Sequence, residues 1–158
     1  MPSGVKRIFQ VPLTGTATTD KEGIGTLRRE GNKTYKWVKY WVGSGTVAAV
    51  AGNVCYYTKD DVSGKGYESH IVTMDLTDSY DMGAGILMAI IPADGYGWIQ
   101  IRGYCLVTTA LTAGSDGNAL TASGTGDGTL DVSAAVTDNV VAIALDASAK
   151  KILCNFPD

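Results

Sequence analysis

In the stretch Gly95-Tyr96-Gly97-Trp98-Ile99-Gln100-Ile101-Arg102-Gly103-Tyr104-Cys105-Leu106-Val107 the side chains alternate in kind. Ile99, Ile101, Cys105 and Val107 share one face of an extended strand, and Trp98, Gln100, Arg102 and Tyr104 share the other. A period of two predicts a strand with the first set in the core. Further on, Val141, Ile143 and Leu145 alternate with Val140, Ala142 and Ala144, large against small, which suits a tapered barrel. Ile152, Cys154 and Phe156 form a last core-facing set.

Working back from Gly95, Pro92-Ala93-Asp94-Gly95 is a turn and a candidate subdomain boundary near 92–95. Gly83 to Ile91 fits either a buried strand or a short helix, because an apolar run has no diagnostic period. His70–Met74, Asn53–Tyr57 and Thr46–Val50 are predicted strands, with polar or acidic loops at Lys59–Glu68 and Asp75–Asp81. Gly25–Glu30 and Thr34–Val42 flank the turn pair Gly31-Asn32 and predict a hairpin. On its second strand Tyr35, Trp37, Lys39 and Trp41 alternate with Lys36, Val38, Tyr40 and Val42. Neither face is cleanly polar, so both are expected to be covered, by a core behind and a partner in front. Residues 1–22 show no sustained period and are expected to form an extended N-terminal arm; 23–158 form one β-rich domain. The fold class is all-β, a small antiparallel barrel or a jelly-roll-like sandwich.

The chain has 158 residues, enough to bury a core without a disulfide or a metal. Its 20 glycines lie between apolar runs, which points to tight turns rather than disorder. The net charge of −3 is unevenly spread: residues 1–41 carry +5, so the remaining 117 carry −8. A basic element is thereby expected to meet an acidic surface, in a neighbouring copy or another protein. The acidic whole argues against nucleic acid. No stretch approaches the 18 or so apolar residues of a membrane-spanning helix, and Met1-Pro2-Ser3-Gly4 lacks signal-peptide anatomy. Cys55, Cys105 and Cys154 have no metal-motif spacing and sit in apolar runs, as buried free thiols of a reducing compartment would.

Few groups suit catalysis. His70 is the single histidine, which excludes a multi-histidine metal site and makes a Cys–His dyad depend on a chance approach. The aspartates at 60–61, 75 and 78, and 127 and 131 fall in predicted loops, where solvation explains them better than a carboxylate pair. Gly124 to Asp131 partly matches a calcium-binding nonapeptide, but that motif works by stacking repeats and it occurs once here. Gly23-Ile24-Gly25 and Gly83-Ala84-Gly85 lack the rest of a phosphate loop. Trp37, Trp41, Trp98 and Tyr96 could stack a sugar, although aromatic strand residues more often serve cores and interfaces. The expectation is a protein that is not an enzyme and carries no cofactor and no metal.

Asp94-Gly95-Tyr96-Gly97-Trp98-Ile99-Gln100-Ile101-Arg102-Gly103, the Ala110–Ala122 stretch with its Ala-Gly turn, and Val141-Ala142-Ile143-Ala144-Leu145 carry a family resemblance. So do Gly15–Gly23 and the following Thr34-Tyr35-Lys36. The chain resembles the head-decoration or capsid cement proteins of tailed bacteriophages, in their Gly/Ala/Thr-rich β-barrel group. The resemblance implies a virion structural protein, often a homotrimer, assembled in the host cytoplasm. It would sit on the outer capsid surface, with the major capsid protein as its partner. Candidate capsid or subunit interface residues are Lys6, Arg7, Arg28, Arg29, Lys33, Lys36, Trp37, Lys39, Trp41, Trp98 and Arg102. The rival readings are a phage tail-associated or receptor/glycan-binding module and, behind it, a hydrolase using aspartate pairs or His70.

Overall fold

The computed structural model describes residues 7–60, 64–108, 114–122 and 126–158. The chain is all-β. In order the strands are β1 (Thr16–Ala17), β2 (Leu27–Glu30), β3 (Lys33–Tyr40), β4 (Val54–Thr58), β5 (Ile71–Thr73), β6 (Ser79–Leu87), β7 (Tyr96–Leu106), β8 (Ala119–Thr121), β9 (Asp131–Val132), β10 (Val140–Asp146) and β11 (Lys151–Asn155). Two 3-10 turns, Tyr67–Ser69 and Leu76–Asp78, flank β5.

β3, β5, β4, β6 and β7 pair in that order, and pairing of β3 with β7 closes them into a five-stranded barrel. Closure removes the exposed sheet edges that an open sheet of this size would leave. The β3–β5 pair is parallel, unlike the antiparallel arrangement expected throughout. β7 outruns the barrel. Its first part pairs with β3, from Lys39 opposite Tyr96 to Thr34 opposite Arg102. Its last part, Arg102–Leu106, pairs with β11 and carries a sheet extension ordered β11-β10-β8-β9. At the other end of the sheet path β2 lies outside β3, joined by the Gly31-Asn32 turn as the sequence predicts.

One core runs through the barrel and continues under the extension. Val38, Tyr40, Tyr56, Ile86, Ile99 and Ile101 belong to it, and so do Leu120, Ile152 and Phe156. Gly83 makes this continuity possible. A Cβ there would lie 2.9 Å from the Phe156 ring and 3.0 Å from Ala122, so any side chain would push the extension off β6.

A second, smaller cluster lies outside the barrel. Tyr35, Trp37 and Trp98 point away from the main core and are covered by Val11 and Ala17. Residues 7–22, the described part of the expected arm, therefore lie on the barrel wall. Thr16 and Ala17 pair with Gly97 and Tyr96, and the Trp98 indole donates to the Val11 carbonyl at 3.1 Å. Both faces of β3 are thus covered, as its lack of a polar face predicts. The cover on the Trp37 face comes from the chain itself.

One local expectation needs revision, and two readings left open by the sequence are decided. Thr46–Val50 is not a strand. Gly43, Thr46 and Gly52 all take positive φ, and successive turn hydrogen bonds coil this segment. Gly83–Ile91 resolves as strand through Leu87. In β10 a bulge between Val140 and Ala142 places Val141 and Ala142 both inward, and Ala144 follows; Ile143 and Leu145 face out. Ala142 and Ala144 pack on the core together with Val141.

Candidate functional site

The basic groups singled out in the sequence divide into three environments. Arg28 stands at the outer cluster: its guanidinium lies 4.8 Å from the Phe9 ring and 5.6 Å from Trp98, ion-pairs with Glu30, and donates to the Val11 carbonyl at 3.1 Å. Arg7 lies 5.4 Å from the same Phe9 ring and donates to the Glu22 carbonyl at 2.6 Å. These two cations staple the N-terminal segment across Phe9, which packs edge-on against Trp98 at 5.4 Å. Their charge is mostly engaged within the chain.

Lys36, Trp37 and Trp98 are buried and offer no surface to a partner. The burial of both tryptophans dismantles the sugar platform considered above, for only Trp41 and Tyr96 remain half-buried. Trp37 packs on Trp98 at 5.1 Å and its indole donates to Asp20 at 2.9 Å. Lys36 points to the other side of β3. Its ammonium donates to the Tyr57 hydroxyl at 2.9 Å and lies 5.2 and 5.4 Å from the Tyr57 and Tyr67 rings. Burial pushes the Lys36 pKa down and the Tyr57 pKa up, because each charged form loses water that rings do not replace. Period-two patterning assigns Lys36 to the face it shares with Val38 and Tyr40, but charge alone would have sent it to solvent.

The remaining candidates reach the surface. Arg29 is exposed on β2, and Lys33 lies 5.5 Å from the Tyr104 ring. Lys39 pairs with Asp94 at 3.2 Å, and Lys65 stands over Trp41 at 4.4 Å. Arg102 pairs with Asp158 at 3.1 Å and donates to Asn155 at 3.0 Å. Lys6 lies outside the described residues, as do parts of the Ala110–Ala122 and Gly124–Asp131 stretches.

His70 stands in the left-handed region (φ 51°) at the end of a 3-10 turn, just before β5, where its ring occupies the space that a Cβ on Gly25 would need. The three cysteines are buried with free thiols. Cys105 and Cys154 are diagonal neighbours on β7 and β11: Cys105 lies opposite Ile152, and Cys154 opposite Gly103. A hydrogen bond from Cys154 makes Cys105 the more acidic of the two and holds Cys154 protonated. Asp75 is a structural carboxylate. Burial opposes its ionisation, but hydrogen bonds from Thr77 and the Gly45 amide outweigh that and hold its pKa low. Asp75 and Asp78 together pin the Ser44–Gly45 turn. Among the described residues no group of three or more His, Cys, Asp or Glu side chains is placed to hold a metal ion.

One surface feature escaped the sequence reading. On the outer face of the sheet where β7, β11 and β10 pair, Tyr104, Leu153 and Ile143 form one cross-strand row. Leu106, Leu145 and Val140 flank it, and all six are 40–56% exposed. The inner face of the same strands is core, so apolar side chains lie on both sides, and Arg102, Lys151 and Asn155 share the outer face with them. A groove of about 370 Å³ runs along its edge, lined by Asn32, Arg102, Val140, Ile143, Leu153 and Asn155 among others. Strand patterning did carry the signal in β10, whose residues Val140–Leu145 are apolar on both faces. No known protein family, curated protein or solved structure matches this chain.

Proposed function

We propose that this chain is a non-enzymatic capsid cement protein of a tailed bacteriophage. It would act as a homotrimer on the outer capsid surface and bridge subunits of the major capsid protein. The observation that carries this reading is a closed barrel whose attached sheet exposes a second apolar face. A shell under outward pressure is stabilised by added buried area across its joints, and rigid closed β modules with spare apolar surface suit that task. Contacts of standard size bury about 1,200–2,000 Å² each. Several on one trimer multiply through effective concentration. The resemblance of residues 94–103 and 141–145 to decoration proteins supports the same reading.

Among the basic candidates Arg29, exposed on β2, is the first for contact with coat subunits. Purified protein mixed with undecorated shells is expected to co-sediment with them at a fixed stoichiometry. Arg29→Glu is expected to weaken that binding with an unchanged melting temperature. Removing all of residues 1–22 is a poorer test, because it would uncover Trp37 and Trp98. Failure of the native protein to bind any tailed-phage shell of its own virus would overturn the proposal.

A further inference from the structure

Two of the three cysteines stand together in the fold. Cys105 on β7 lies opposite Ile152, and Cys154 on β11 lies opposite Gly103, so the pair are diagonal neighbours on the inward face. Gly103 carries no side chain to stand between them, and a hydrogen bond joins the two thiols. Buried cysteines commonly serve as small hydrophobes. Cys55 is such a residue: it is fully buried in the barrel, its thiol donates to the Gly85 carbonyl at 3.4 Å, and burial pushes its pKa up.

The Cys105–Cys154 pair differs in access and in charge. Cys105 lines an open cleft of about 290 Å³ together with Lys33, Gln100, Tyr104 and Leu106. The Lys33 ammonium, 5.5 Å from the Tyr104 ring, favours an anion at this thiol. Cys154 lines the groove beside Arg102 and Asn155. Thiolate character and access together decide which cysteine oxidises, and a second thiol within reach resolves the product.

The structure assigns Cys105 and Cys154 as a redox pair, in which a small hydroperoxide entering the cleft oxidises Cys105 and Cys154 resolves it to a disulfide between β7 and β11. The Cys105 thiolate attacks one peroxide oxygen. The S–O bond forms as the O–O bond breaks, and the departing oxygen takes a proton and leaves as water or an alcohol. Cys105 is then a sulfenic acid, and the peroxide has been reduced by its electron pair. Cys154 next attacks the Cys105 sulfur. The S–S bond forms, the S–O bond breaks, and hydroxide leaves as water with the Cys154 proton. The order follows from the hydrogen bond: Cys154 is its donor, so the negative charge rests on Cys105.

Diagonal neighbours of an antiparallel pair stand about 7–8 Å apart, just beyond the ~4.4–6.8 Å between the Cα atoms of a relaxed disulfide. Closing the bond therefore draws β11 onto β7 and leaves a link that thiols readily reopen. β11 is the strand that joins the sheet extension to β7, so the pair sits on the seam between extension and barrel. The inference is independent of the capsid reading and is tested on the purified chain.

Hydrogen peroxide is the probe. Reduced full-length protein is treated, its remaining thiols are alkylated, and tryptic peptides are mapped by mass spectrometry. Cleavage after Lys39, Lys59, Arg102, Lys150 and Lys151 puts each cysteine on its own peptide. The expected product is an intramolecular Cys105–Cys154 link with Cys55 still a free thiol, reversed by dithiothreitol. In the native protein alkylation of Cys105 is expected to outpace that of Cys55 by about tenfold or more. Cys154→Ser is expected to stop at the sulfenic acid, which dimedone captures at Cys105. Cys105→Ser is expected to leave Cys154 unoxidised at the same exposure. Near-ultraviolet circular dichroism checks that both variants fold, and the wild-type map decides the link without them. Equal reactivity of Cys55 and Cys105, oxidation of Cys154 in Cys105→Ser, or a link that forms only after denaturation would overturn the inference. So would Cys105 that stays reduced, or one that over-oxidises with no link to Cys154.

Discussion

Replacing Trp98 with alanine tests how the N-terminal segment is held. Trp98 is fully buried outside the barrel, with its ring 5.1 Å from Trp37 and 5.4 Å from Phe9. Truncating a buried tryptophan costs about 3–5 kcal/mol in transfer and cavity terms. The Val11 carbonyl also loses its indole donor, worth about 1 kcal/mol. The expected loss of about 4–5 kcal/mol is a large fraction of a typical domain's 5–15 kcal/mol. Trp98→Phe keeps an aromatic ring against Trp37 and Phe9 but gives up the N–H, so it should lose only about 1–2 kcal/mol. Urea denaturation followed by far-ultraviolet circular dichroism measures both, since fluorescence would lose its probe. Limited trypsin digestion adds a spatial test. Val11 and Ala17 rest on this cluster, so cleavage after Lys21 should accelerate in Trp98→Ala before the barrel itself is cut. A Trp98→Ala variant within about 1 kcal/mol of wild type at unchanged m, with Lys21 still protected, would refute the assignment of Trp98 as the anchor.

Ile101→Asp places a carboxylate in the barrel core, where Ile101 is fully buried; the cost of several kcal/mol should leave the chain unfolded, as a lost thermal transition would show. Lys36→Met is expected to stabilise the protein by about 1–2 kcal/mol at neutral pH, because a well-packed apolar residue replaces a buried ammonium whose neighbours are rings and a hydroxyl. The folded Lys36 pKa lies below its unfolded 10.5, so the unfolded chain binds the proton more tightly and wild-type stability rises with pH through that interval. The advantage of Lys36→Met should therefore shrink toward pH 10, and urea titrations at pH 7 and 9.5 that show a constant or growing advantage would contradict it. Gly103→Ala combines φ +92° with a Cβ 2.6 Å from the Asn32 carbonyl oxygen and should cost about 1–3 kcal/mol; Gly117→Ala, at φ +85° with open space around it, should cost less. Melting temperatures of the two variants in the reverse order would show that the Asn32 contact relaxes freely.

Local pattern alone carried most of the strand content. The alternation of Ile99, Ile101, Cys105 and Val107 placed that face of β7 in the core, and the Gly31-Asn32 pair marked the β2–β3 turn, because period two and turn chemistry are properties of neighbouring residues. The same locality set the limits. Thr46–Val50 has the composition of a strand, but glycines at 43, 45 and 52 and the carboxylates of Asp75 and Asp78 hold it coiled, and those carboxylates come from some thirty residues away. Trp37 and Trp98 were open in the sequence to a core or an interface role. Nothing within a few residues of either foretold that Val11 and Ala17 would cover them.

The sequence by itself determined that this is an all-β chain, which of its strands carry core residues, and that its charge divides between an early basic part and a later acidic one. These follow from side-chain type and spacing along the backbone. Only the tertiary structure decided that β3 and β7 close a barrel, that the bulge in β10 turns its small residues inward, and that Tyr104, Leu153 and Ile143 meet in one exposed row. Each depends on the register between strands distant in the chain. Register is fixed by the summed packing of a whole core, so no short stretch of sequence contains it.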